Sequence, residues 1–388
     1  MNYKEFVADA MMNYASLPQE TNELYRKHYV HIPFELEGHL GRKDGGKSAG
    51  ALAGKNLPDV GLKFDAVMCG GSQVLKDSSF VTIKDSSKLG SRSLEEAMHE
   101  SAEDKYAAFV NARAKSTLFV DVPQGVHAEV CLRFVAPLNV RVAISLGKGA
   151  RLNLLELCES GQANTIIGMA HEAKLQDGAF AEINTMHNEN AKTVALCFFR
   201  GRLGTGARLK FNAVYKGGSH IRARNRIEAG ARNSCAEVNE LVLGSEGQKF
   251  DIYTRMTNAA QDTSASLQSR AALMGTSQCI LKGFARVEHG AKRSSSHIQE
   301  RGILLDKGSR MDSLPDMAVD ESNVRATHSS ATAPIDTEEV FYLMSKGMDD
   351  RHARKLIVTG FFAGCIEKIE NAAMREIATS QINRKLQR

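Results

Sequence analysis

The 388-residue sequence predicts a mainly β protein, with a parallel β-helix core flanked by N-terminal and C-terminal α-helical regions. Three observations predict this fold. Short runs of alternating apolar and polar residues fill the middle of the chain, almost no proline interrupts them, and Gly-Ala pairs separate them at first intervals of 29, 28 and 24 residues. Strands that alternate with glycine turns at such a period are typical of stacked β-helix coils. A β-sandwich shows the same alternation and is the alternative.

An N-terminal helical region is expected over residues 1–117. Apolar residues recur at helical spacing in roughly the first 30 residues, and Ser93 with Glu96 forms a capping box that predicts a helix over 93–114. Between these two segments, residues 38–56 are rich in glycine and lysine, which predicts a flexible loop.

Residues 41–48 of this loop formally fit the phosphate-binding pattern G-x-x-x-x-G-K-S, in which Lys47 would contact the phosphates. Such a loop needs a buried strand before it and a helix after it. Glutamates interrupt the preceding segment, and glycines together with Pro58 disfavour a helix in the following one. A loop without a nucleotide is therefore the prediction, and an ATPase that uses Lys47 is kept as an alternative.

The β-helix core is expected over residues 118–330. Its strands are predicted from the alternating runs Leu118–Val122, Val140–Ser145, Leu152–Leu157, Thr193–Phe199, Arg208–Tyr215 and Ala236–Leu243. Within this region His220, Arg222, Arg224 and Arg226 occupy alternate positions and would share one face of a strand. We interpret that face as solvated, with an acidic protein surface or a phosphate as the alternative. Nucleic acid is disfavoured because no aromatic residues are interleaved for base stacking.

A C-terminal helical domain is expected over residues 331–388. Asp336 is predicted to cap its first helix, over 337–346. Asp349 or Asp350 is predicted to begin a longer helix, whose broad apolar face would be mostly core and partly a docking surface for a partner.

Composition excludes several classes of function. The net charge, 50 − 45 = +5, is too small to indicate a nucleic-acid partner. No apolar run reaches about 18 residues and no secretory signal is visible, so we expect a cytoplasmic protein without a membrane span. The closest of the seven cysteines, Cys131 and Cys158, lie 27 residues apart, so no compact metal motif is present. Any metal would need ligands brought together by the fold or by a partner chain.

The C-terminal third carries recognisable motifs. Residues 335–348 read I-D-T-E-E-V-F-Y-L-M-S-K-G-M, residues 324–336 read V-R-A-T-H-S-S-A-T-A-P-I-D, and residues 282–291 read K-G-F-A-R-V-E-H-G-A. The first resembles the signature I-D-x-E-x-L-F-Y-L-x-S-R-G-I of the SufB/SufD family, which belongs to the sulfur-mobilisation (SUF) system of iron–sulfur cluster assembly. The second and third are similar to that family's V-x-x-x-H-G-A-T-x-x-x-I-D element and its last full coil. The resemblance covers roughly residues 104–370.

The resemblance implies a right-handed parallel β-helix and a non-catalytic scaffold subunit of a SufBCD-type complex. Such a subunit pairs through its core with SufB or with a second copy of itself. It binds SufC, an ABC-type ATPase, through its C-terminal helical region. A cluster or iron held only transiently at the subunit interface is expected, and no stably bound cofactor.

The resemblance also implies the candidate site residues. His328 lies at the signature histidine and is the candidate interface ligand for iron or sulfur, because a neutral imidazole suits iron. A histidine that only hydrogen-bonds a turn is the alternative. The cysteine that SufB would have near Glu300 is absent, which favours SufD or a SufB/SufD-like homodimer, and Glu300 is the candidate co-ligand. The candidate SufC contacts are Phe341, Tyr342, Leu343 and Met344.

Two other functions stay open at this point. The first is the ATPase that would use the 41–48 loop. The second is a purely structural adaptor that holds SufC without contacting a metal. The sequence leaves open whether the pairing partner is SufB or a second copy.

Overall fold

The structure, a computed structural model, describes residues 3–17, 63–69, 72–75, 78–89, 104–161 and 164–387. The loop over 38–56, with its 41–48 segment and Lys47, lies outside these residues. Within them the helices are α1 (Tyr3–Ser16), α2 (Lys105–Arg113), α3 (Thr337–Ser345), α4 (Asp350–Ile366) and α5 (Ala372–Lys385), and a short 3-10 helix spans Ser86–Lys88.

The strands fall between α1 and α3. They are β1 (Ala66–Cys69), β2 (Ser72–Leu75), β3 (Val81–Asp85), β4 (Ser116–Val122), β5 (His127–Ala136), β6 (Leu138–Leu146), β7 (Arg151–Ser160), β8 (Thr165–Leu175), β9 (Phe180–His187), β10 (Thr193–Leu203), β11 (Arg208–Tyr215), β12 (His220–Ala229), β13 (Cys235–Gly244), β14 (Lys249–Asn258), β15 (Ser264–Leu273), β16 (Gln278–Val287), β17 (Ser295–Leu304), β18 (Arg310–Ser313), β19 (Asp316–Val319) and β20 (Arg325–Pro334). All six runs predicted from the sequence lie within these strands.

The strands form two long sheets that face each other. The first sheet has the order β2-β1-β5-β7-β9-β11-β13-β15-β17-β20, and the second has the order β18-β16-β14-β12-β10-β8-β6-β4-β3 with β19 also paired to β16. From β4 to β17 the chain alternates between the sheets, and each strand pairs in parallel with the strand one coil later. The result is a parallel β-solenoid of about seven turns, which confirms the predicted fold class.

Apolar side chains at alternate strand positions fill the space between the two sheets. Ile252 on β14, Leu267 on β15 and Leu281 on β16 belong to one interior cluster that runs along the solenoid. Burial of each such side chain contributes about 1.5–3 kcal/mol. Because every coil buries its apolar face mainly against its neighbours, the stack stabilises each coil.

A column of left-handed residues aligns the turns at one corner of the solenoid. Gly149, Gly178 and Gly206 have φ values of 63°, 66° and 64°, and the amide of each donates to a carbonyl of the next turn. Asn233 and Asp262, both at φ 60°, continue the column. The predicted Gly-Ala turns are therefore confirmed for the first coils, whereas later coils use residue types that tolerate this conformation without being glycine.

The N-terminal region contains strands that the sequence did not predict. β1 pairs in parallel with β5, and β3 pairs antiparallel with β4, so both extend the sheets beyond the first coil. α1 and α2 pack against the second sheet, where Tyr14 and Phe109 lie with their ring centroids 5.7 Å apart above Leu196 and Phe198.

The helix predicted over 93–114 is wrong in its starting point. Asp104 is extended (φ −143°, ψ 124°), and its side chain accepts hydrogen bonds from the amides of Tyr106 and Ala107. Asp104 is thus the N-cap of α2, a role that aspartate favours because its carboxylate pairs with free amides of the first turn. Ser93 and Glu96 lie outside the described residues.

The interpretation of the arginine stripe as a solvated face is also wrong. Arg222 and Arg224 point outward from β12 but are only 4% and 8% exposed. Arg222 contacts Asp104 at 2.7 Å and Asp251 at 2.5 Å, and Arg224 contacts Asp251 at 2.6 Å. Burial opposes ionisation of the two carboxyl groups, but the guanidinium charges outweigh it, and the pKa of Asp104 and of Asp251 is lowered. The acidic surface that these arginines meet belongs to the same chain.

The C-terminal helices cover the outer face of the first sheet. Phe362 of α4 and Ile377 of α5 pack on Leu155, Met186 and Val214. Asp336 caps α3 and Asp349 caps α4, as predicted. No helix in the described ranges is long and apolar enough to cross a membrane.

Candidate functional site

Strand β20 is the last strand of the first sheet and has an open edge. It pairs with β17 on one side, and no further strand of the described structure follows it. Every residue of β20 is at least partly exposed. An unpaired edge of ten residues presents backbone donors and acceptors to any strand that approaches it.

His328 lies in the middle of this edge strand. It is in register with Ile298 on β17, and its side chain is exposed. Its Nδ1 lies 3.2 Å from the Pro315 carbonyl oxygen, and because a carbonyl can only accept, Nδ1 carries the proton. The lone pair is therefore on Nε2, as in a histidine that binds a metal while a backbone carbonyl orients its ring.

Glu300 lies one coil inward, on β17, in register with Ser330. It is only 1% exposed and accepts a hydrogen bond from the Ser313 hydroxyl. Burial raises the pKa of Glu300 to about 7, although the Ser313 hydroxyl acts in the opposite direction. Its Oε1 has no hydrogen-bond partner among the described residues. A carboxyl group in this state is close to neutral at physiological pH.

The structure brings His328 and Glu300 onto neighbouring strands but not into one exposed site. Their register positions, 298 with 328 and 300 with 330, place both side chains on the same face of the sheet. His328 faces solvent, whereas Glu300 is enclosed. Their joint role as metal ligands therefore stays a prediction.

A cluster at this edge would need thiolates from elsewhere. Iron–sulfur clusters are held mainly by cysteine, and β20 contains none. Cys279 on β16 and Cys365 on α4 are both buried. His328 thus fits a site in which a second chain supplies the sulfur ligands, and it does not fit a site completed by this chain alone.

Helix α3 presents an apolar patch. Phe341 is 72% exposed and Tyr342 is 59% exposed, and Met344 is also exposed. Leu343 instead packs against the small buried cluster of Ile335, Val340 and Ala353. Neighbouring residues on a helix point about 100° apart, so one side of this run contacts the protein and the other sides face outward.

The patch continues onto the start of α4. Met348 and Leu356 are exposed there and line a groove whose other walls are Gly347, Asp349, His352, Lys355, Thr359 and Asn383. Exposed apolar side chains that are contiguous and rimmed by charged residues are typical of protein–protein interaction surfaces. We call the exposed side chains of Phe341, Tyr342, Met344, Met348 and Leu356 the α3–α4 patch.

Sequence reasoning missed a group of polar residues inside the solenoid. Cys158 on β7 and His187 at the end of β9 are register partners, and Glu189 follows two residues later. The available signal was their separation of 29 residues, which equals one coil period.

Comparison with known proteins agrees with this architecture. A family model described as "SUF system FeS cluster assembly, SufBD core domain" matches residues 135–361. An iron–sulfur cluster assembly SufBD family protein of Mycobacterium leprae is 24% identical over 265 residues, which cover 63% of this chain and 29% of that protein. A SufBD family protein of Mycobacterium tuberculosis is 29% identical over 203 residues, covering 50% of this chain and 51% of that protein.

The iron–sulfur cluster assembly protein SufD of Bacillus subtilis is 23% identical over 150 residues, which cover 39% of this chain and 34% of that protein. The chain therefore spans about half or less of the length of these curated relatives.

Proposed function

The chain belongs to the SufBD family of the SUF iron–sulfur cluster assembly system, and on this premise we propose that it is a non-catalytic scaffold subunit of a SufBCD-type complex. In this proposal it binds a SufC-type ABC ATPase and pairs through its solenoid with a SufB-like chain or a second copy. The cluster, or iron destined for it, is held transiently between the paired chains. The observation that carries the proposal is the open edge of β20 with His328 at its centre.

The edge strand supports the pairing step. Proteins usually protect exposed strand edges with lysine, proline or a covering segment. Strand β20 contains no lysine, and its one proline, Pro334, is its last residue. The edge is thus suited to a partner strand, whose backbone groups would continue the first sheet by one more strand.

The position of His328 supports the cluster step. Its Nε2 lone pair is available beside the edge, so the same approach that pairs a second chain would bring that chain's ligands to this nitrogen. A single imidazole cannot retain a cluster, which is why the proposal has the cluster bound only while the chains are paired.

The α3–α4 patch supports the binding of SufC. Aromatic residues are the usual anchors of protein interfaces, where truncation of one can cost about 2 kcal/mol or more. Phe341 and Tyr342 are the most exposed large apolar side chains of this patch. The patch and the β20 edge are separate surfaces, so both partners could bind at once.

The proposal is tested by the native mass of the complex. The chain, tagged and produced together with SufB-like and SufC-like proteins from the same genome, should co-purify with SufC and with one pairing subunit. The complex, but not the chain alone, should retain a cluster absorbance after anaerobic reconstitution and gel filtration. A chain that stays monomeric and captures neither protein would refute the proposal.

A structural adaptor without metal contact is the second candidate. The burial of Glu300 favours it, since His328 is then the one predicted ligand that faces solvent. The two candidates differ in the expected effect of replacing His328.

A further inference from the structure

Soft ligand atoms converge in one interior layer of the solenoid. Cys158 and His187 are register partners in the first sheet, and Met169 and Cys197 are register partners in the second. The Cys158 Sγ–H donates to Met169 Sδ at 3.4 Å, and Cys197 Sγ lies 3.5 Å from His187 Nε2. All four side chains are buried. Two thiols, a thioether and an imidazole therefore lie in contact away from solvent.

A carboxylate completes this group. Glu189 Oε1 lies 2.8 Å from His187 Nδ1, and the Glu189 side chain is fully buried. Its other oxygen, Oε2, has no hydrogen-bond partner among the described residues. A buried carboxylate oxygen without a partner is costly, so its presence here points to a ligand that the carboxylate would bind.

The geometry of three of these groups suits a metal ion. One ligand atom each of Cys158, His187 and Glu189 lies within 4.8 Å of the other two. Metal–ligand bonds of about 2.0–2.3 Å place the ligands of a tetrahedral ion roughly 3–4 Å apart. Closing the site around an ion therefore requires only small side-chain movements.

We propose that Cys158, His187 and Glu189 bind a single thiophilic divalent cation inside the solenoid, with Zn²⁺ as the ion whose ligand preferences fit best. Thiolate, imidazole and carboxylate are the three side-chain ligands of protein zinc sites. The sulfur atoms of Cys197 and Met169 beside the site select against hard cations such as Mg²⁺ and Ca²⁺. Binding replaces the Cys158 S–H bond by a sulfur–metal bond, and the released proton goes to solvent.

A polar cavity provides the entry path. Glu189 forms part of the wall of a surface cavity between the solenoid and α5, which is also lined by Asn188, Asn190, Lys216 and Lys385. An ion in this cavity would meet the Glu189 backbone and then its side chain. The site lies several coils from β20, and so its occupancy does not depend on the pairing or cluster steps proposed above.

The test uses the full chain without a histidine tag, stripped of metal by a chelator. Co²⁺ serves as the spectroscopic probe, because it occupies zinc sites and gives a near-ultraviolet charge-transfer band when a thiolate binds it. We expect one Co²⁺ per chain with this band, displaced by Zn²⁺. Failure to bind, or binding without the charge-transfer band, would overturn the proposal.

Three variants locate the site. Cys158→Ser should abolish the charge-transfer band and weaken Zn²⁺ binding at least about 100-fold, and Glu189→Gln should weaken it about 10- to 100-fold while the band is kept. Cys365→Ser is the matched control, since Cys365 is equally buried but lies on α4. Equal effects of Cys365→Ser and Cys158→Ser would refute the assignment.

A measurement on the unmodified chain keeps the test decisive if Cys158→Ser does not fold. A cation that binds only the folded state raises the melting temperature as its concentration exceeds the dissociation constant. Zn²⁺ should therefore raise the melting temperature of the original chain and of Cys365→Ser, whereas equal Mg²⁺ should not. No shift with Zn²⁺, or the same shift with both ions, would contradict the proposal.

Discussion

Ile298 and His328 occupy the same register position on adjacent strands, yet Ile298 is fully buried and His328 is exposed. The difference arises because β20 has a neighbour on one side only. His328 therefore stands where the interior of the solenoid would continue if another coil followed. A partner chain that adds a strand to β20 would enclose this histidine as the fold encloses Ile298.

Blocking the open edge should prevent pairing without unfolding the chain. The amides of Arg325 and Ile335 donate to β17-side carbonyls, so odd-numbered residues of β20 face β17 and the amide of Ser330 faces the open edge. Ser330→Pro removes that outward donor and adds a ring at the edge. We expect pairing to weaken at least about tenfold, or ~1.4 kcal/mol, as measured by sedimentation of the complex.

The control for this change is Ser330→Ala, which loses the hydroxyl but keeps the amide and should pair normally. The melting temperatures of the two variants should agree within a few degrees. If Ser330→Pro pairs as tightly as Ser330→Ala, β20 is not the pairing edge.

Replacing the exposed histidine separates the two candidate functions. His328→Ala should leave folding stability within about 0.5 kcal/mol, because the side chain is exposed. It should also leave the complex assembled while reducing the cluster that the complex retains. His297→Ala is the matched control, since His297 is exposed on β17 and hydrogen-bonds Thr327. Unchanged cluster content in His328→Ala, measured by iron and sulfide analysis, would favour the structural adaptor.

Charge placed on the α3–α4 patch should abolish SufC binding selectively. Tyr342→Asp and Met344→Asp each put a carboxylate among exposed apolar residues, so we expect weaker binding at an unchanged melting temperature. Leu343→Asp should instead lower the melting temperature, because Leu343 packs on the buried cluster of Val340 and Ala353. Calorimetric titration with SufC and thermal melts measure both effects. If every variant that weakens binding also unfolds, these residues are core and not interface.

A partly buried histidine should make stability depend on pH. Burial, with the Lys249 charge beside it on β14, lowers the pKa of His220 to about 4. The unfolded chain binds this proton near pH 6.5. Below about pH 6.5 the unfolded state therefore binds more protons than the folded state, and stability falls until the pH reaches about 4.

We expect this loss to be about 1 kcal/mol at pH 5, after discounting for the partial exposure of the ring. Urea unfolding at about pH 7 and pH 5 measures it. His220→Gln should remove this part of the pH dependence, whereas His297→Gln, at an exposed histidine, should keep it. Equal slopes for the two variants would show that His220 is not responsible.

The sequence contained enough information for the solenoid because its signals are local and repeated. Alternation within each run and the glycine turns between runs are visible without knowing which strands pair. The turn at Asn233 was harder to place, since asparagine adopts φ 60° there while the nearby Gly230 does not have a positive φ. Short strands such as β1 lack enough residues to show a period.

The contacts that the sequence did not reveal join residues far apart along the chain. Arg222 was assigned to solvent because its partner Asp104 lies 118 residues away. Cys158 and His187 meet through coil register, which can be read only when the coil length is known. His328 could be singled out through its motif, but its exposure depends on β20 ending the sheet.

The column of left-handed turn residues has a consequence for how such a chain can change over generations. Each turn bonds to the next in the same way, so a duplicated or deleted coil leaves all remaining contacts in register. Paired residues lie 27 positions apart at Leu209 and Ala236 and 31 apart at Leu267 and Ile298, so such an event involves about that many codons. A single inserted residue within a strand would instead turn interior side chains outward. Evolution can therefore lengthen or shorten this protein most easily in whole coils.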